Sequence, residues 1–497
     1  MRVLQNGDGA LPVAARSVFP SRPDDTDSRM PWVLVVLMVL RVVLAGSLGL
    51  TFDEAYYFSW AQHPQLGYLD HPPLVAWLVS PVVTWAPPDP LLARLPILLL
   101  SLPFTWFVFA STRDVVGARV AWHAVVLVNA LPSVALSFIL IAPDAPLLTS
   151  WAASLHAFQR ALQRNTPAAW LAAGLATGVA LLSKYMAVLL FPTFALLLLW
   201  RRRSLLRDLW PWLALVVALL VFSPVLVWNA QRNWLSFRFQ LGLGPRHGDD
   251  VTGLLSLLDF VAGQAAGVTP AVLVGLVLAW RARRHAPHDV AFRLLTFSCA
   301  VPLVIFTTLA WRHPLEVNWV TCAWVGAAPV VALLAPRCAR IATIIGLIVL
   351  LGAAAYVPRP FLPSTHDITA RGEGWETVAA AVRHCLDERG LRTAVVLGHK
   401  RYETAQMQFH LGRDLPVRPA HRGERYAFLP EATASHAVLL IRPTDATPDL
   451  VETIARDHGH ARAESCAEVT RRRPGGEPLE TFRVLLLRPD GAAARTD

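Results

Sequence analysis

The chain reads as a polytopic α-helical membrane protein of about eleven spans that carries a C-terminal extracytoplasmic α/β domain. Three observations predict this. Of its 497 residues, 54% are hydrophobic and only 16% are charged, against ~25% charged in a soluble domain. Apolar runs of near-spanning length recur between residues 30 and 357. Beyond 358 the runs stop, and polar residues separate short apolar stretches. The hydrophobicity excludes a disordered chain. Five cysteines in 497 residues exclude a disulfide-stapled scaffold.

Residues 1–29 mix Arg, Asp, Pro, Ser and Gly without periodicity, which predicts a disordered cytoplasmic tail. No small-residue cleavage site follows the first apolar run, so the segment does not read as a signal peptide. Spans are expected near 30–50, 91–112, 120–140, 146–162, 168–182, 186–200, 209–228, 253–280, 294–311, 320–336 and 341–357. The stretch 72–87 is too short and too proline-rich to span, and predicts a helix lying at the interface.

The loops test this topology. With the N-terminus inside, the inside loops carry fourteen arginines, from Arg113 to Arg340. The short outside loops carry Lys184, Arg232, Arg238, Arg246 and Arg312, with Arg94 at a helix mouth. This excess is the positive-inside pattern, and an odd number of spans then puts the C-terminal region outside. The net charge of +10 is therefore topological. It points to membrane lipids as partners and not to a nucleic acid, which would need the charge gathered on one soluble face.

Within 358–497, helices are expected at 374–389, 401–411 and 449–457, and strands at 393–397, 437–441 and 482–487. Alternation of the two types predicts a small α/β domain. Cys299, Cys322 and Cys338 fall in or beside spans as packing residues. Cys385 and Cys466 both fall in the external domain, where an oxidising exterior would let them pair; their spacing leaves the pairing open.

Chemistry-bearing residues gather in the outside loops. The first holds Asp53-Glu54-Ala55-Tyr56-Tyr57 and then Tyr68-Leu69-Asp70-His71-Pro72-Pro73-Leu74. Adjacent carboxylates after a span ordinarily cap a helix. Here Asp70 and His71 join them with no basic neighbour, a set able to bind a divalent cation or to take a proton from a hydroxyl. The second loop presents Asp144 between Pro143 and Pro146, as an N-cap or as a carboxylate facing a partner. The third is Leu182-Ser183-Lys184-Tyr185. Lys184, one of only two lysines in the chain, either snorkels or faces a phosphate. Residues 311–319 add Arg312, His313, Glu316, Asn318 and two tryptophans as a weaker candidate loop, the rings serving as interfacial anchors or as stacking faces for a sugar or lipid.

Taken together, these motifs resemble the bacterial family 39 glycosyltransferases, which are related to the protein O-mannosyltransferases and to the aminoarabinose transferase of lipid A. The resemblance covers residues 30–357 as a membrane catalytic domain. The segment Arg401-Tyr402-Glu403-Thr404-Ala405 resembles the tail domain of the same proteins, here residues 358–497. It implies a C-type glycosyltransferase fold in the cell inner membrane. It also implies a polyprenyl-phosphate sugar donor and a lipid A, glycan or protein acceptor at the outer face. By that resemblance Asp53 would be the catalytic acid/base, with Asp144 as the second acidic residue and Glu54 beside them. Lys184, with His71 and Tyr185, would meet the leaving phosphate. His71 follows the mannosyltransferase pattern where the aminoarabinose enzymes have Lys, which leaves the donor sugar open.

Displacement at the anomeric carbon leaves a phosphate monoester. Its charge would be met by Lys184, or by a divalent cation (Mg, Mn or Zn) on Asp53, Asp70 and Asp144. A single displacement implies inversion. The rival reading is a transporter or flippase for a lipid-linked or anionic solute, which would instead show paired halves and helices broken at the midplane. An inactive scaffold is a third reading, against which Asp53, Asp144 and Lys184 argue.

Overall fold

The structure, a computed structural model, describes residues 29–242, 252–287, 289–421, 423–430 and 436–488. The expected tail before Arg29, and Arg246 of the outside loops, lie outside the described residues.

The first half of the helical domain comprises α1 (Met30–Ser47), α2 (Phe52–Gln62), α3 (Leu74–Trp85), α4 (Pro90–Val116), α5 (Ala118–Ala130), α6 (Pro132–Ser137), α7 (Asp144–Arg164) and α8 (Pro167–Ser183). The second half comprises α9 (Leu190–Arg201), α10 (Leu209–Ala230), α11 (Leu235–Gln240), α12 (Leu254–Val268), α13 (Pro270–Arg281), α14 (Val290–Ala310), α15 (Ala323–Leu334) and α16 (Pro336–Tyr356). Every expected span meets a helix or a helix pair, and the interfacial stretch 72–87 meets α3.

The expected count of eleven is not what helix length delivers. Among the described residues, α1, α4, α10, α14 and α16 are long and apolar enough to cross a membrane, and α12 with α13 makes a sixth only as a pair bent by 102°. Proline supplies part of the reason. Pro132 and Pro270 open new helices and lack the N–H that would continue the old ones. The shorter apolar helices α3, α5, α8, α9 and α15 pack between the long ones. Gly174 and Gly178 let α8 lie directly on Ala214 and Ala218 of α10, where a Cβ would strike backbone oxygen. Without a hydrophobic drive between helices in lipid, such close van der Waals seams hold a bundle together.

The C-terminal unit contains α17 (Trp375–Asp387), β1 (Val395–Gly398), α18 (Arg401–Leu411), β2 (Val417–Pro419), β3 (Ala437–Ile441), α19 (Pro448–Asp457), β4 (Arg462–Arg472) and β5 (Pro478–Arg488). Its sheet runs β2-β1-β3-β5-β4, with β1 parallel to β2 and β3, and β5 antiparallel to β3 and β4. Trp375, Val382, Val396 and Val484 form a core under one face, and Leu397, Leu439 and Ile454 form a second under the other. Both faces of β1 and β3 are buried, which explains their unbroken apolar runs. Cys385 on α17 is bonded to Cys466 on β4, fastening the helix to the sheet edge.

This unit sits on the helical domain at one end. Gly49 and Gly372 touch backbone to backbone. The Gln406 side-chain amide donates to the Leu50 carbonyl at 2.8 Å, and Phe52 stacks on Tyr402 with ring centroids 4.8 Å apart. The same end of the bundle carries the loops singled out from the sequence.

Candidate active site

Thr51 starts the site. Its hydroxyl accepts from the Glu54 amide while Glu54 Oε2 accepts from the Thr51 amide at 3.0 Å, a reciprocal cap that begins α2. Asp53 then lies in the first turn, where the helix dipole favours an anion. Its side chain is exposed and has no hydrogen bond or ion pair among the described residues.

Glu54 faces the other way. It is buried, with Arg94 donating from Nε to Oε1 and from Nη2 to Oε2, both at 2.7 Å. The Ile141 amide also donates to Oε1, at 3.0 Å. Arg94 spends its remaining donors on the carbonyls of Ala45, Leu48 and Gly49. All of Glu54's accepting positions are taken, so the expectation of a catalytic Glu54 is corrected. It is a clamp that fixes the loop after α1 against the loop leading to Asp144.

Asp144 opens α7 and Lys184 ends α8. They meet as an ion pair, Lys184 Nζ to Asp144 Oδ1 at 2.9 Å, with the two residues 2% and 4% exposed. Asn318, from the loop before α15, donates to Asp144 Oδ2 at 3.4 Å. Lys184 has extended backbone where α8 stops, which turns its side chain back toward the site.

Asp70 accepts from the Tyr56 hydroxyl at 2.8 Å and pairs with Arg425 of the C-terminal unit at 2.6 Å. Burial pushes its carboxyl above the usual range, and Arg425 and Tyr56 pull the other way. His71 follows on the same loop. Burial holds its imidazole well below the usual pKa, and the cations Lys184 and Arg425 act in the same direction. Its Nδ1 is buried without a hydrogen-bond partner. It is therefore a neutral imidazole beside a lysine.

Tyr57 is the common point. Desolvation raises its hydroxyl well above the ordinary pKa, and the fields of Asp70, Asp53, Asp144 and Glu316 all push the same way. The charges of these four carboxylates, Asp53 on α2, Asp70 on the loop after it, Asp144 at the start of α7 and Glu316 before α15, all act on this one side chain, whose ring lies 6.1 Å from that of His71. Tyr185 is not directed here: its hydroxyl pairs with Ser236 at 2.6 Å, and its ring packs on Phe237. The Tyr185 hydroxyl is therefore engaged by Ser236.

Asp53, Asp70 and Asp144 do not form a ligand set. Among the described residues no three His, Cys, Asp or Glu groups are placed to hold a metal ion. Asp70 is paired with Arg425 and Asp144 with Lys184, whereas Asp53 has no ion pair among the described residues.

The sequence reading placed Arg94 at a helix mouth without a partner, and it missed Arg425 and Gln240. Arg94 left a signal, since a lone charge in an apolar run needs a partner. Arg425 reaches Asp70 from the far end of the chain, and no local pattern marks such a pair. Gln240, which donates to the Asp70 carbonyl, likewise lies in an unremarkable stretch.

Residues 70–228 match the family model described as dolichyl-phosphate-mannose-protein mannosyltransferase. The lipid A galacturonosyltransferase RgtD of Rhizobium johnstonii is 29% identical over 310 residues, 59% of this chain and 63% of that one. The lipopolysaccharide core galacturonosyltransferase RgtA of the same organism is 33% identical over 204 residues, 39% of each chain. The chain thus spans less than two thirds of either relative. The crystal structure of ArnT from Cupriavidus metallidurans bound to undecaprenyl phosphate superposes with a TM-score of 0.60 at 16% identity, covering 92% of this chain and 97% of that one. The architecture expected from the loop motifs is the architecture present.

Proposed function

We propose that this chain, a relative of the family 39 glycosyltransferases with their C-type fold, moves a sugar from a polyprenyl-phosphate donor to an acceptor hydroxyl. It is a multi-pass membrane protein; we place it in the inner membrane with the C-terminal unit in the periplasm. One combination carries the reading: Asp53, an exposed carboxylate with no ion pair among the described residues, and Asp144, held in the buried pair with Lys184, both act electrostatically on Tyr57.

A transferase of this type needs two opposed functions. The acceptor oxygen attacks the anomeric carbon as the bond from that carbon to the phosphate oxygen breaks, and the bonding pair leaves with the phosphate. Asp53 takes the acceptor proton, for which an exposed, unpaired carboxylate on a helix N-terminus is suited. The charge gathering on the leaving phosphate is met by Lys184, which Asp144 holds in place while Asn318 donates to Asp144. Neutral His71 has an open nitrogen beside Lys184 and can hydrogen-bond the phosphate or the sugar without adding charge. With one displacement, the anomeric configuration inverts.

The relatives' names make galacturonate the first donor sugar to test, and lipid A or the lipopolysaccharide core the first acceptors. The test is transfer of radiolabel from undecaprenyl-phosphate-linked galacturonate to lipid A by the full chain in nanodiscs, with other polyprenyl-phosphate sugars alongside. Labelled product of inverted configuration supports the reading. A folded protein that transfers none of these sugars overturns it, and retention of configuration overturns the single displacement.

A further inference from the structure

A positively charged hollow lies in the C-terminal unit, and of its wall residues only Arg425 belongs to the site described above. It encloses about 450 Å³ and is walled by His399, Lys400, Arg401, His421, Arg425 and the rings of Tyr402 and Tyr426. That is room for a phosphorylated saccharide, and small-molecule sites begin at about 300 Å³. Lys400, the second of the chain's two lysines, stands here as the N-cap of α18, and Arg401 is that helix's first residue. The helix dipole therefore adds to the side-chain charge. His399 and His421 meet at 3.2 Å, nitrogen to nitrogen.

The carboxylates nearby cancel this charge only in part, because Lys400 and Arg425 each have an acidic partner and Arg401 has none among the described residues. Asp445 is 3.5 Å from Lys400 and 3.8 Å from His399, but it is held at 2.9 Å by Arg442. Glu480 accepts from Tyr402 and pairs with Arg442 and Arg471. Asp70 is paired with Arg425. Arg401 has no ion pair among the described residues.

The hollow also borders the reacting groups on one side only. Tyr402, in its wall, stacks on Phe52, the residue next to Asp53. Tyr426, also in its wall, feels the charge of Asp53 and of Asp70. Arg425 joins the wall to Asp70. Lys184 and Asp144, which face the donor phosphate in the proposed reaction, contribute nothing to this wall.

We infer that this hollow is the acceptor's subsite, and that it takes a phosphate group on the acceptor's saccharide head. Lys400 and Arg401 hold the phosphate, Tyr402 and Tyr426 present ring faces to the sugar, and the acceptor hydroxyl reaches Asp53 across Tyr426. Acceptor choice thus rests on the C-terminal unit and donor choice on the membrane helices. The inference depends on the transferase reading for its direction but not for its ligand.

The experiment uses the full chain in nanodiscs and two binding measurements. Lipid A bearing its phosphates and the same lipid after phosphatase treatment are titrated, with inorganic phosphate as a third probe. Undecaprenyl phosphate binding is followed separately. The phosphorylated lipid is expected to bind at least tenfold more tightly than the dephosphorylated one. Lys400→Gln and Arg401→Gln are each expected to remove roughly tenfold of that affinity. Both should leave undecaprenyl phosphate binding and the unfolding temperature unchanged. In transfer assays the same variants should raise the KM for phosphorylated acceptor with little change in kcat. Equal binding of both lipids, no effect of either variant, or inorganic phosphate binding as tightly as the lipid would each overturn the acceptor subsite. Loss of undecaprenyl phosphate binding in the unaltered protein would instead overturn the transferase reading.

Discussion

Lys184 and Asp144 form an ion pair at 2.9 Å that is almost wholly removed from water. Each charge is tolerable there only because of the other, so the pair is a structural joint and, in the proposed reaction, the source of the ammonium that meets the leaving phosphate. Removing a single partner strands a buried charge, which costs about 3–5 kcal/mol. Lys184→Gln and Asp144→Asn should therefore each lower the unfolding temperature sharply. The double variant, neutral on both sides, should recover most of that stability and still fail to transfer sugar. Recovery of transfer in the double variant would remove Lys184 from the chemistry.

Asp53 supports the opposite expectation. It has no hydrogen bond or ion pair among the described residues, so Asp53→Asn takes nothing from the fold beyond a small helix-dipole contribution of ~0.3–1 kcal/mol. Transfer should fall by roughly 10²–10⁴-fold, the range typical of a lost general base. Thermal unfolding measured beside transfer per folded molecule checks both halves. Normal transfer by this variant would show that another group takes the proton.

Glu54 is adjacent in sequence and differs in every respect. Glu54→Gln leaves Arg94 buried with half of its bidentate partner gone and should cost roughly 3–5 kcal/mol. Activity per folded molecule should fall far less than for Asp53→Asn. Denaturant titration and single-turnover transfer on the folded fraction separate the two effects. Equal catalytic loss from both variants would return Glu54 to the reaction.

The contrast between Asp53 and Glu54 shows where the sequence was legible. Both belong to one motif, and their chemistry looks alike on paper. Successive helical residues point about 100° apart, so one side chain meets solvent and the other Arg94. Only the placement of Arg94 decides which is which. Asp144 and Lys184 were readable because each sits at a break between apolar runs, and a charge in such a place needs a reason. Arg425 was not, because its partner Asp70 belongs to the first outside loop. In the C-terminal unit, α18 and β3 fall at their expected bounds, β3 because Ala437–Ile441 is a short unbroken apolar run flanked by polar residues. The strand β4 was missed because Arg462–Arg472 is a charged edge strand, and edge strands hide their alternation under protective charge. Helix length does not confirm the count of eleven for a related reason: an apolar run does not reveal the proline break or bend within it.

The disulfide between Cys385 and Cys466 closes a loop of 81 residues in separation. Chain-entropy arguments assign such a loop about 4–5 kcal/mol, acting on the unfolded state. Reduction, or Cys466→Ser with Cys385→Ser, should lower the unfolding temperature of the C-terminal unit. The helical bundle and undecaprenyl phosphate binding should be untouched. Hydrogen exchange resolved along the chain would locate the loss, and uniform loosening of both parts would contradict it.

Glu403 gives the C-terminal unit a pH dependence of its own. Its side chain is buried in the cap of α18, where Oε2 accepts from the Lys400 amide at 2.9 Å and Oε1 has no hydrogen-bond partner. Burial raises its carboxyl to about 7, with Glu480 adding to the shift and Arg442 opposing it. The folded state therefore holds this proton more tightly than the unfolded chain, whose carboxyl titrates near 4.5. Stability from this group is complete below about pH 4.5 and is lost as pH rises through about 7, by roughly 3 kcal/mol in all. Unfolding temperatures of the full chain at pH 5 and pH 8 should differ in that direction. Glu403→Gln keeps an oxygen for the Lys400 amide and cannot ionise, so the difference should shrink in that variant. An unchanged difference would show that Glu403 is ionised in the folded protein throughout this range.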